Sequence, residues 1–195
     1  MYNLNMTIGI WGDSITFGSC DQECLGWAGR LRSTLPINDN FQLYNFGICG
    51  ETTQDLLKRF AIEASAIEPN KIILAIGIND SKLPHGSSDN CVGIDIFETN
   101  LRLLIDIAKT HTSDITLVGL TQVDSNWESS RGSRLINEEI DKYDRQVRVI
   151  AENYGLLYIK MRDVLNTTSD LADGLHPNST GYQKMFKAIV ENIAL

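Results

Sequence analysis

Short apolar runs alternate with segments of helical periodicity along all 195 residues of the chain. The clearest run is KIILAI at 71–76, which contains several β-branched residues and no charge after its first position. Such a run predicts a strand that is buried on both faces of a parallel sheet. Because parallel strands need helical crossovers, the alternation predicts a three-layer α/β/α sandwich of the flavodoxin-like kind with a five-stranded parallel sheet. We expect its strands at 6–11, 41–46, 71–76, 114–120 and 156–159.

Helices are predicted between these strands and after the last one. The helix at 25–35 stops before Pro36, because a residue that precedes proline avoids helical backbone angles. Gly155 suits the end of another helix. No internal repeat or low-complexity segment interrupts the pattern, so we expect a single domain over residues 1–195. The predicted helices cover 25–35, 52 or 53 to 67, 94–109, 134–154 and 179–193.

The polar residues that follow the predicted strands are the candidates for a functional site. In an open parallel sheet, ligand sites lie at the carboxyl ends of the strands, where loops lead into helices. Asp13 and Ser14 follow the first strand, and Asn79 and Asp80 follow the third. We therefore expect one edge of the sheet to collect Asp13, Ser14, residues 45–50, Asn79, Asp80, Asp173 and His176.

Ser14 can act as a nucleophile only with a base that takes its proton and a third group that orients the base. His176 is the best base among the three histidines, because Asp173 lies three residues earlier in the same loop. His85 lacks a neighbouring group to orient it, and His111 lies at a predicted helix end. Gly-Asp-Ser alone is more often an ordinary turn. The joint occurrence of these groups at one sheet edge favours nucleophilic catalysis.

Cleavage of an ester by a serine also needs hydrogen-bond donors aimed at the oxygen that becomes negative in the transition state. The candidates are the backbone N–H groups of Ser14 and Gly50 and the side-chain amide of Asn79. Each donor of this kind typically lowers the barrier by roughly 3–4 kcal/mol. Asp13 and Asp80 are expected to support the site, Asp13 by bracing the loops through hydrogen bonds.

Four sequence motifs in this order resemble those of the GDSL, or SGNH, hydrolases. Together they run from near the start of the chain to near its end, so the resemblance spans essentially the whole sequence. They are GDSI at 12–15, NFGICGETT at 45–53, GIND at 77–80 and DGLH at 173–176.

The resemblance implies a role for each matching residue. Ser14 is expected to be the nucleophile, His176 the general base and Asp173 the group that orients it. The Ser14 N–H, the Gly50 N–H and the Asn79 side chain are expected to form the oxyanion hole. The family carries this site on a flavodoxin-like α/β/α sandwich.

The sequence departs from the family pattern in one place and leaves one alternative open. Ile15 stands where the family name has leucine, a change that affects only packing. Gly47 lies close to Gly50 and is a rival for the oxyanion N–H. The related α/β-hydrolase signature G-x-S-x-G is excluded, because Thr16 stands at its final glycine.

The resemblance implies hydrolysis of carboxylic esters or thioesters through an acyl-serine intermediate, without a metal or organic cofactor. The partner would be a small-molecule ester. Two polar loops, 81–89 and 121–133, hold few large apolar residues, which favours short acyl chains. Trp27 and Trp127 are candidates for a pocket wall, although packing is the expected role of Trp27.

The net charge of −8 argues against binding to nucleic acid or to an anionic membrane surface. No apolar stretch approaches the roughly 18 residues that a spanning helix needs. The N-terminal segment lacks the basic and apolar regions of a secretory signal, so a cytoplasmic location is expected. Cys20 and Cys24 form a C-x3-C pair without a second Cys/His pair nearby, which predicts buried or free thiols and no metal site.

Two alternative functions remain open on the sequence alone. Asp13 and Asp80 at adjacent strand ends are suited to magnesium, as in a metal-dependent phosphohydrolase. That interpretation leaves Asn79, Asp173 and His176 without a task. A non-catalytic binding module on the same fold is the second alternative.

Overall fold

Five strands form one parallel sheet in the computed structural model, which describes residues 6–36 and 40–193. The spatial order is β2-β1-β3-β4-β5, which confirms the predicted flavodoxin-like arrangement. All four pairings between neighbouring strands are parallel. The strands are β1 at Met6–Gly12, β2 at Phe41–Gly47, β3 at Lys71–Ala75, β4 at Ile115–Val118 and β5 at Leu157–Ile159.

Helices cover both faces of this sheet, so the predicted three layers are present. They are α1 at Ser14–Phe17, α2 at Gly26–Thr34, α3 at Thr53–Leu57, α4 at Phe60–Ile67, α5 at Ile94–Lys109, α6 at Asn137–Tyr154 and α7 at Ser179–Val190. Helix α2 packs against α7, and α5 packs against α3, α4 and α6. None of the described helices is both long and apolar enough to cross a membrane.

The position of each strand in the sheet explains its sequence pattern. β1 and β3 lie side by side in the interior, where Ile8, Ile10, Ile72 and Ile73 are fully buried. A strand covered on both faces needs an uninterrupted apolar run. β2 lies at an edge, and Leu43 is the one buried residue among its seven. Trp27 is completely buried in the core, as its expected packing role requires.

The helix predicted from 52 or 53 to 67 is divided into α3 and α4. Arg59 has φ −120° and ψ −25°, outside helical geometry. Its guanidinium donates to the Phe46 carbonyl at 2.7 Å and to the Glu51 carboxylate. These long-range bonds favour a break that local periodicity does not reveal.

Several element ends differ from the prediction by one to three residues, among them β4, which is shorter at both ends, and α7, which ends at Val190 and not at residue 193. The single turn α1, which begins at Ser14, has only four residues and is too short to show a periodic pattern. Helix α6 begins at Asn137 and not at residue 134. Arg134 instead forms antiparallel bridges with Leu83 and Glu128.

Candidate active site

The serine at the end of β1 is fixed by a close contact between strands and by a helix cap. A Cβ atom at Gly12 would lie 2.2 Å from the Ala75 carbonyl oxygen, so only glycine fits here. Asp13 caps α1 by accepting a hydrogen bond from Ile15 N–H at 2.9 Å. Ser14 is then the first residue of α1, where a backbone N–H has no partner within the helix. The turn therefore presents at the sheet edge both the hydroxyl and an N–H that has no partner within α1.

A chain of hydrogen bonds joins Ser14 to two residues near the other end of the sequence. His176 Nε2 lies 2.9 Å from Ser14 Oγ, and His176 Nδ1 lies 2.7 Å from Asp173 Oδ2. Serine, imidazole and carboxylate in this order form the arrangement of a nucleophile with its base and orienting group. The sheet edge thus brings together the three residues that sequence reasoning selected.

Backbone donors hold the Asp173 carboxylate in place. Its Oδ1 accepts from Leu175 N–H at 3.0 Å and from His176 N–H at 2.7 Å, which leaves Oδ2 for the imidazole ring. Partial burial works to raise the pKa of Asp173. The hydrogen bonds from the backbone and ring of His176 and from Leu175 outweigh burial and hold this pKa below its ordinary value. The carboxylate is therefore charged and oriented at neutral pH.

The loop that carries Asp173 and His176 is closed by its own contacts. Gly174 has φ +82°, and a Cβ there would lie 3.1 Å from Asp124 Cβ. The Gly174 carbonyl accepts from Asp124 N–H at 2.7 Å. Ala172 N–H donates to the His176 carbonyl at 2.8 Å. The imidazole is thus carried by a compact loop that is tied to the segment after β4.

The two glycines that compete for the oxyanion position have different surroundings. A Cβ at Gly47 would lie 2.3 Å from Phe17 N, and the Gly47 N–H already donates to Asn45 Oδ1 at 2.9 Å. Gly50 is exposed with φ +80°, and no described atom lies within 4 Å of a Cβ built there. Gly47 is therefore occupied by packing against α1, while Gly50 faces open space. This difference favours Gly50 as the donor.

Asn79 is linked to the loop that carries Gly50. Its side-chain NH2 donates to the Glu51 carbonyl at 3.1 Å, and its Oδ1 accepts from Lys82 Nζ at 3.4 Å. Only 5% of Asn79 is exposed. Since an amide nitrogen carries two hydrogens, one can hold the loop while the second remains for a ligand oxygen.

Asp80 joins the loop after β3 to the start of α3 through hydrogen bonds. The described hydrogen bond of the Asp13 side chain lies within its own turn. Asp80 is fully buried and accepts from the N–H and the hydroxyl of Thr53. Thr53 Oγ1 in turn accepts from Asn100 Nδ2 at 3.0 Å. Bracing of the loops, which was expected of Asp13, is therefore the task of Asp80.

Burial changes the ionisation of both aspartates. It raises the pKa of Asp80 to about 6, against the hydrogen bonds from Thr53. Burial also raises the pKa of Asp13 to about 7. The hydrogen bond from Ile15 N–H lowers this pKa, and the negative charges of Asp80 and Glu51 raise it further. In the described part of the chain, these aspartates do not belong to a cluster of three side chains able to share a metal ion.

Sequence reasoning missed the position of Cys20 beside the site, whereas it did name Trp127 as a candidate for a pocket wall. Cys20 Sγ lies 3.9 Å from Asp173 Oδ2, although Cys20 belongs to none of the four motifs. A groove beside Asp173 is lined by Trp127 and by polar residues of the loop after β4. The polar loop 121–133 and Trp127 within it are the sequence signals of this groove. The groove is lined by Asp124, Asn126, Trp127, Glu128, Asp173 and Gly174.

A parallel sheet with a hydrogen-bonded serine, histidine and aspartate at its carboxyl edge defines the class of protein as a serine hydrolase on a flavodoxin-like sheet. Comparison with protein families gives a more specific result. Residues 10–184 match the model of the GDSL-like lipase/acylhydrolase family, so the chain belongs to this family. The prediction of a serine ester hydrolase is confirmed at this level.

Two characterised relatives are esterases. The chain is 30% identical over 187 residues to a multidomain esterase of Ruminococcus flavefaciens, covering 93% of this chain and 22% of that protein. It is 28% identical over 205 residues to an acetylxylan esterase of Geobacillus stearothermophilus, covering 93% of this chain and 91% of the relative. The chain thus spans a small part of the first relative and nearly all of the second.

The crystal structure of Axe2, an acetylxylan esterase from Geobacillus stearothermophilus, has the same fold. It superposes with a TM-score of 0.79 at 22% identity and covers 99% of this chain and 97% of its own. Three solved variants of Axe2 are described as catalytic mutants, and they replace a serine, an aspartate and a histidine by alanine. At this identity the likeness shows the shared fold.

Proposed function

We propose that this chain removes short acyl groups, acetyl above all, from the hydroxyl groups of carbohydrates, with Ser14 as nucleophile and His176 and Asp173 as its base and orienting group. The observation that carries the proposal is the chain of hydrogen bonds, 2.9 Å from Ser14 Oγ to His176 Nε2 and 2.7 Å from His176 Nδ1 to Asp173 Oδ2. The catalytic mutants of Axe2, which change the same three residue types, support it.

The acylation half begins at Ser14. Its Oγ attacks the acyl carbonyl while His176 Nε2 takes the hydroxyl proton. Asp173 keeps the Nδ1–H tautomer of the ring, so that Nε2 is free to accept this proton. The imidazolium then gives the proton to the departing sugar oxygen, and the acyl group stays on Ser14 as an ester.

The tetrahedral intermediate carries a negative oxygen that needs fixed donors. The N–H of Ser14, the N–H of Gly50 and the second amide hydrogen of Asn79 are proposed to supply them. Asn79 and Gly50 are held relative to one another by the bond from Asn79 to the Glu51 carbonyl. Fixed neutral donors need no reorganisation when charge develops, which is why each is typically worth roughly 3–4 kcal/mol.

Deacylation repeats the chemistry with water in place of the serine. His176 Nε2 takes a proton from the water, whose oxygen attacks the acyl-serine carbonyl. Collapse of the second intermediate returns the proton to Ser14 Oγ and releases the carboxylic acid. The residues of the chain supply every proton transfer and oxyanion contact, so the proposal requires no metal or organic cofactor.

The groove beside Asp173 supports a carbohydrate as the alcohol part of the substrate. Trp127 offers a flat apolar face, and Asp124, Asn126 and Glu128 offer hydrogen-bonding groups around it. Sugar rings combine an apolar face with a rim of hydroxyls, whereas a long alkyl chain would leave these polar groups unpaired. The carboxylates also disfavour anionic partners such as nucleic acid.

A chain-length series tests the proposal. p-Nitrophenyl esters from acetate upward and acetylated xylo-oligosaccharides should be compared as substrates of the wild type and of Ser14→Ala. We expect the acetyl ester to be cleaved fastest and Ser14→Ala to lose nearly all activity. We expect Trp127→Ala to raise KM for the oligosaccharide and to leave hydrolysis of p-nitrophenyl acetate nearly unchanged. Activity that survives Ser14→Ala would overturn the mechanism, and a preference for long acyl chains would overturn the substrate assignment.

A further inference from the structure

Cys20 places a thiol against the histidine–aspartate pair. Its Sγ lies 3.9 Å from Asp173 Oδ2, and His176 Nδ1 lies 2.7 Å from the same oxygen. The ligand atoms of these three side chains all lie within 4.8 Å of one another. We propose that Cys20, Asp173 and His176 bind a thiophilic divalent cation such as Zn²⁺ or Cd²⁺, and that the bound cation inhibits hydrolysis.

The donor set suits such an ion. Thiolate, imidazole and carboxylate are the three side-chain ligands of zinc sites, and a thiolate selects softer metals over magnesium or calcium. Ordinary zinc bond lengths in a tetrahedron separate sulfur from oxygen by about 3.5 Å and nitrogen from oxygen by about 3.3 Å. The present separations, 3.9 Å and 2.7 Å, are each within about 0.6 Å of those values. The sulfur–nitrogen separation is at most 4.8 Å, so rotation of the exposed Cys20 side chain has to close at most about 1.3 Å to reach its tetrahedral value of about 3.5 Å.

The orientation of the Asp173 carboxylate makes Oδ2 the shared ligand. Oδ1 is held by the backbone N–H groups of Leu175 and His176. Oδ2 faces both the Cys20 thiol and His176 Nδ1. A cation that replaces the hydrogens on Sγ and Nδ1 would therefore be bound by Sγ, Nδ1 and Oδ2 together. Cys20 and Asp173 are exposed, and the ion can enter directly from solvent.

The movement of protons shows why the ion would inhibit. Cys20 forms a metal–sulfur bond as its thiol proton leaves to solvent, because the thiolate is the ligand. His176 binds through the lone pair of Nδ1, so the proton of the neutral ring moves from Nδ1 to Nε2. One proton is thus released for each ion bound. The Nε2–H then faces Ser14 and cannot accept the serine proton, which stops acylation.

Cys24 provides a matched control for Cys20. Both cysteines are exposed and both have left-handed backbone angles, φ +65° at Cys20 and φ +56° at Cys24. Only Cys20 belongs to the three-residue cluster within the described part of the chain. Glycine adopts such angles without strain. Cys20→Gly and Cys24→Gly therefore each remove one thiol while favouring the existing backbone conformation.

The first experiment measures inhibition by ZnCl2 with p-nitrophenyl acetate as substrate. We expect micromolar-range inhibition of the wild type and of Cys24→Gly, reversed by EDTA. We expect Cys20→Gly to require at least roughly tenfold more zinc, because one of three ligands is gone. Equal inhibition of all three proteins would overturn the proposal.

The second experiment detects the ion without hydrolysis, and so it does not depend on the proposed function. Ser14→Ala protein is titrated with CdCl2 while the ultraviolet cadmium–thiolate absorbance and the released protons are followed. We expect a step in absorbance and the release of about one proton per ion bound. Both signals should be absent in the double variant Ser14→Ala/Cys20→Gly and present in Ser14→Ala/Cys24→Gly. Titrations that do not differ between the two glycine variants would overturn the site. A wild-type protein that binds cadmium in this way but does not hydrolyse esters would count against the proposed function and not against the cation site.

Discussion

Thr53 donates both its backbone N–H and its hydroxyl to the buried carboxylate of Asp80. Asp80 directly follows Asn79, and Thr53 begins α3 three residues after Gly50. The contact therefore joins the two loops that carry the proposed oxyanion donors. It connects a buried polar network to the geometry of the reaction.

Replacing Thr53 by valine tests this connection. Thr53→Val keeps the shape of the side chain but removes the hydroxyl that donates to Asp80 and accepts from Asn100. We expect the free energy of unfolding to fall by about 1–3 kcal/mol, because buried polar groups lose partners. We also expect kcat to fall more than KM rises, since the donors lose their alignment. Urea unfolding and steady-state kinetics measure the two effects.

The control for this variant is Thr99→Val, which removes an exposed hydroxyl that donates to the Asp95 carbonyl of its own helix. It is expected to change both quantities little. Equal losses in the two variants would show that the Asp80 contact has no special role.

Asp173→Asn separates orientation of the imidazole from folding of its loop. The amide oxygen can still accept from the N–H groups of Leu175 and His176, so the loop should persist. The negative charge and the tautomer selection are lost, and we expect kcat to fall by about a hundredfold to ten-thousandfold. Asp163→Asn, which changes an exposed aspartate paired with Lys160, should retain activity. Wild-type kcat in Asp173→Asn would exclude the orienting role.

Alanine at Gly47 and at Gly50 should have opposite consequences. At Gly47 the new Cβ would collide with the backbone of Phe17, and we expect a loss of roughly 1–3 kcal/mol or more in the free energy of unfolding. At Gly50 the methyl group meets open space, and only the left-handed backbone angle is penalised, by about 1 kcal/mol. Its main effect should fall on kcat, because the angle that aims the N–H is strained.

Thermal unfolding and kinetics of the two glycine variants distinguish these effects. A stable Gly47→Ala protein with much reduced kcat, beside an unaffected Gly50→Ala enzyme, would move the oxyanion role to Gly47.

The pH dependence of stability should report on Asp13. The raised pKa of about 7 in the folded chain, against 3.8 as its ordinary value, means that the folded state holds a proton that the unfolded state has released. Between these two values this group lowers stability as pH rises, by at most about 1.4 kcal/mol per pH unit. Asp13→Asn keeps an acceptor for Ile15 N–H and removes the titration.

We therefore expect the stability of Asp13→Asn relative to the wild type to increase from about pH 4 to about pH 7 and then to level off. Urea unfolding at several pH values across this range measures the difference. Asp80 titrates in both proteins, so its contribution largely cancels. Parallel stability curves for the two proteins would show that Asp13 does not carry the extra proton.

The centre of the fold was predictable because physical constraints there are simple. A strand covered on both faces, such as β3, must be continuously apolar, and the β-branched, uncharged run after Lys71 meets that requirement. Element ends were less predictable. The break between α3 and α4 depends on bonds from Arg59 to Phe46 and Glu51, which lie eight or more residues away.

The candidate site was predictable in its members but not in its contacts. Ser14, Asn79 and His176 follow strands, and sheet topology alone brings such residues to one edge. The pairing of Asp80 with Thr53 and the approach of Cys20 to Asp173 depend on loop conformation. Cys20 reaches that position through a left-handed backbone angle, which no residue-type preference predicts for cysteine.

Ser14 and His176, the proposed nucleophile and base, are 162 residues apart in the chain. A ribosome would therefore have to synthesise everything from Ser14 to His176 before any copy could cleave an ester. A fragment that stops before His176 would still contain all five strands of the sheet and would still be inert. Ester hydrolysis thus reports that the chain has been synthesised as far as His176 and has folded. Mixing a fragment that contains Ser14 with one that contains His176 should restore hydrolysis.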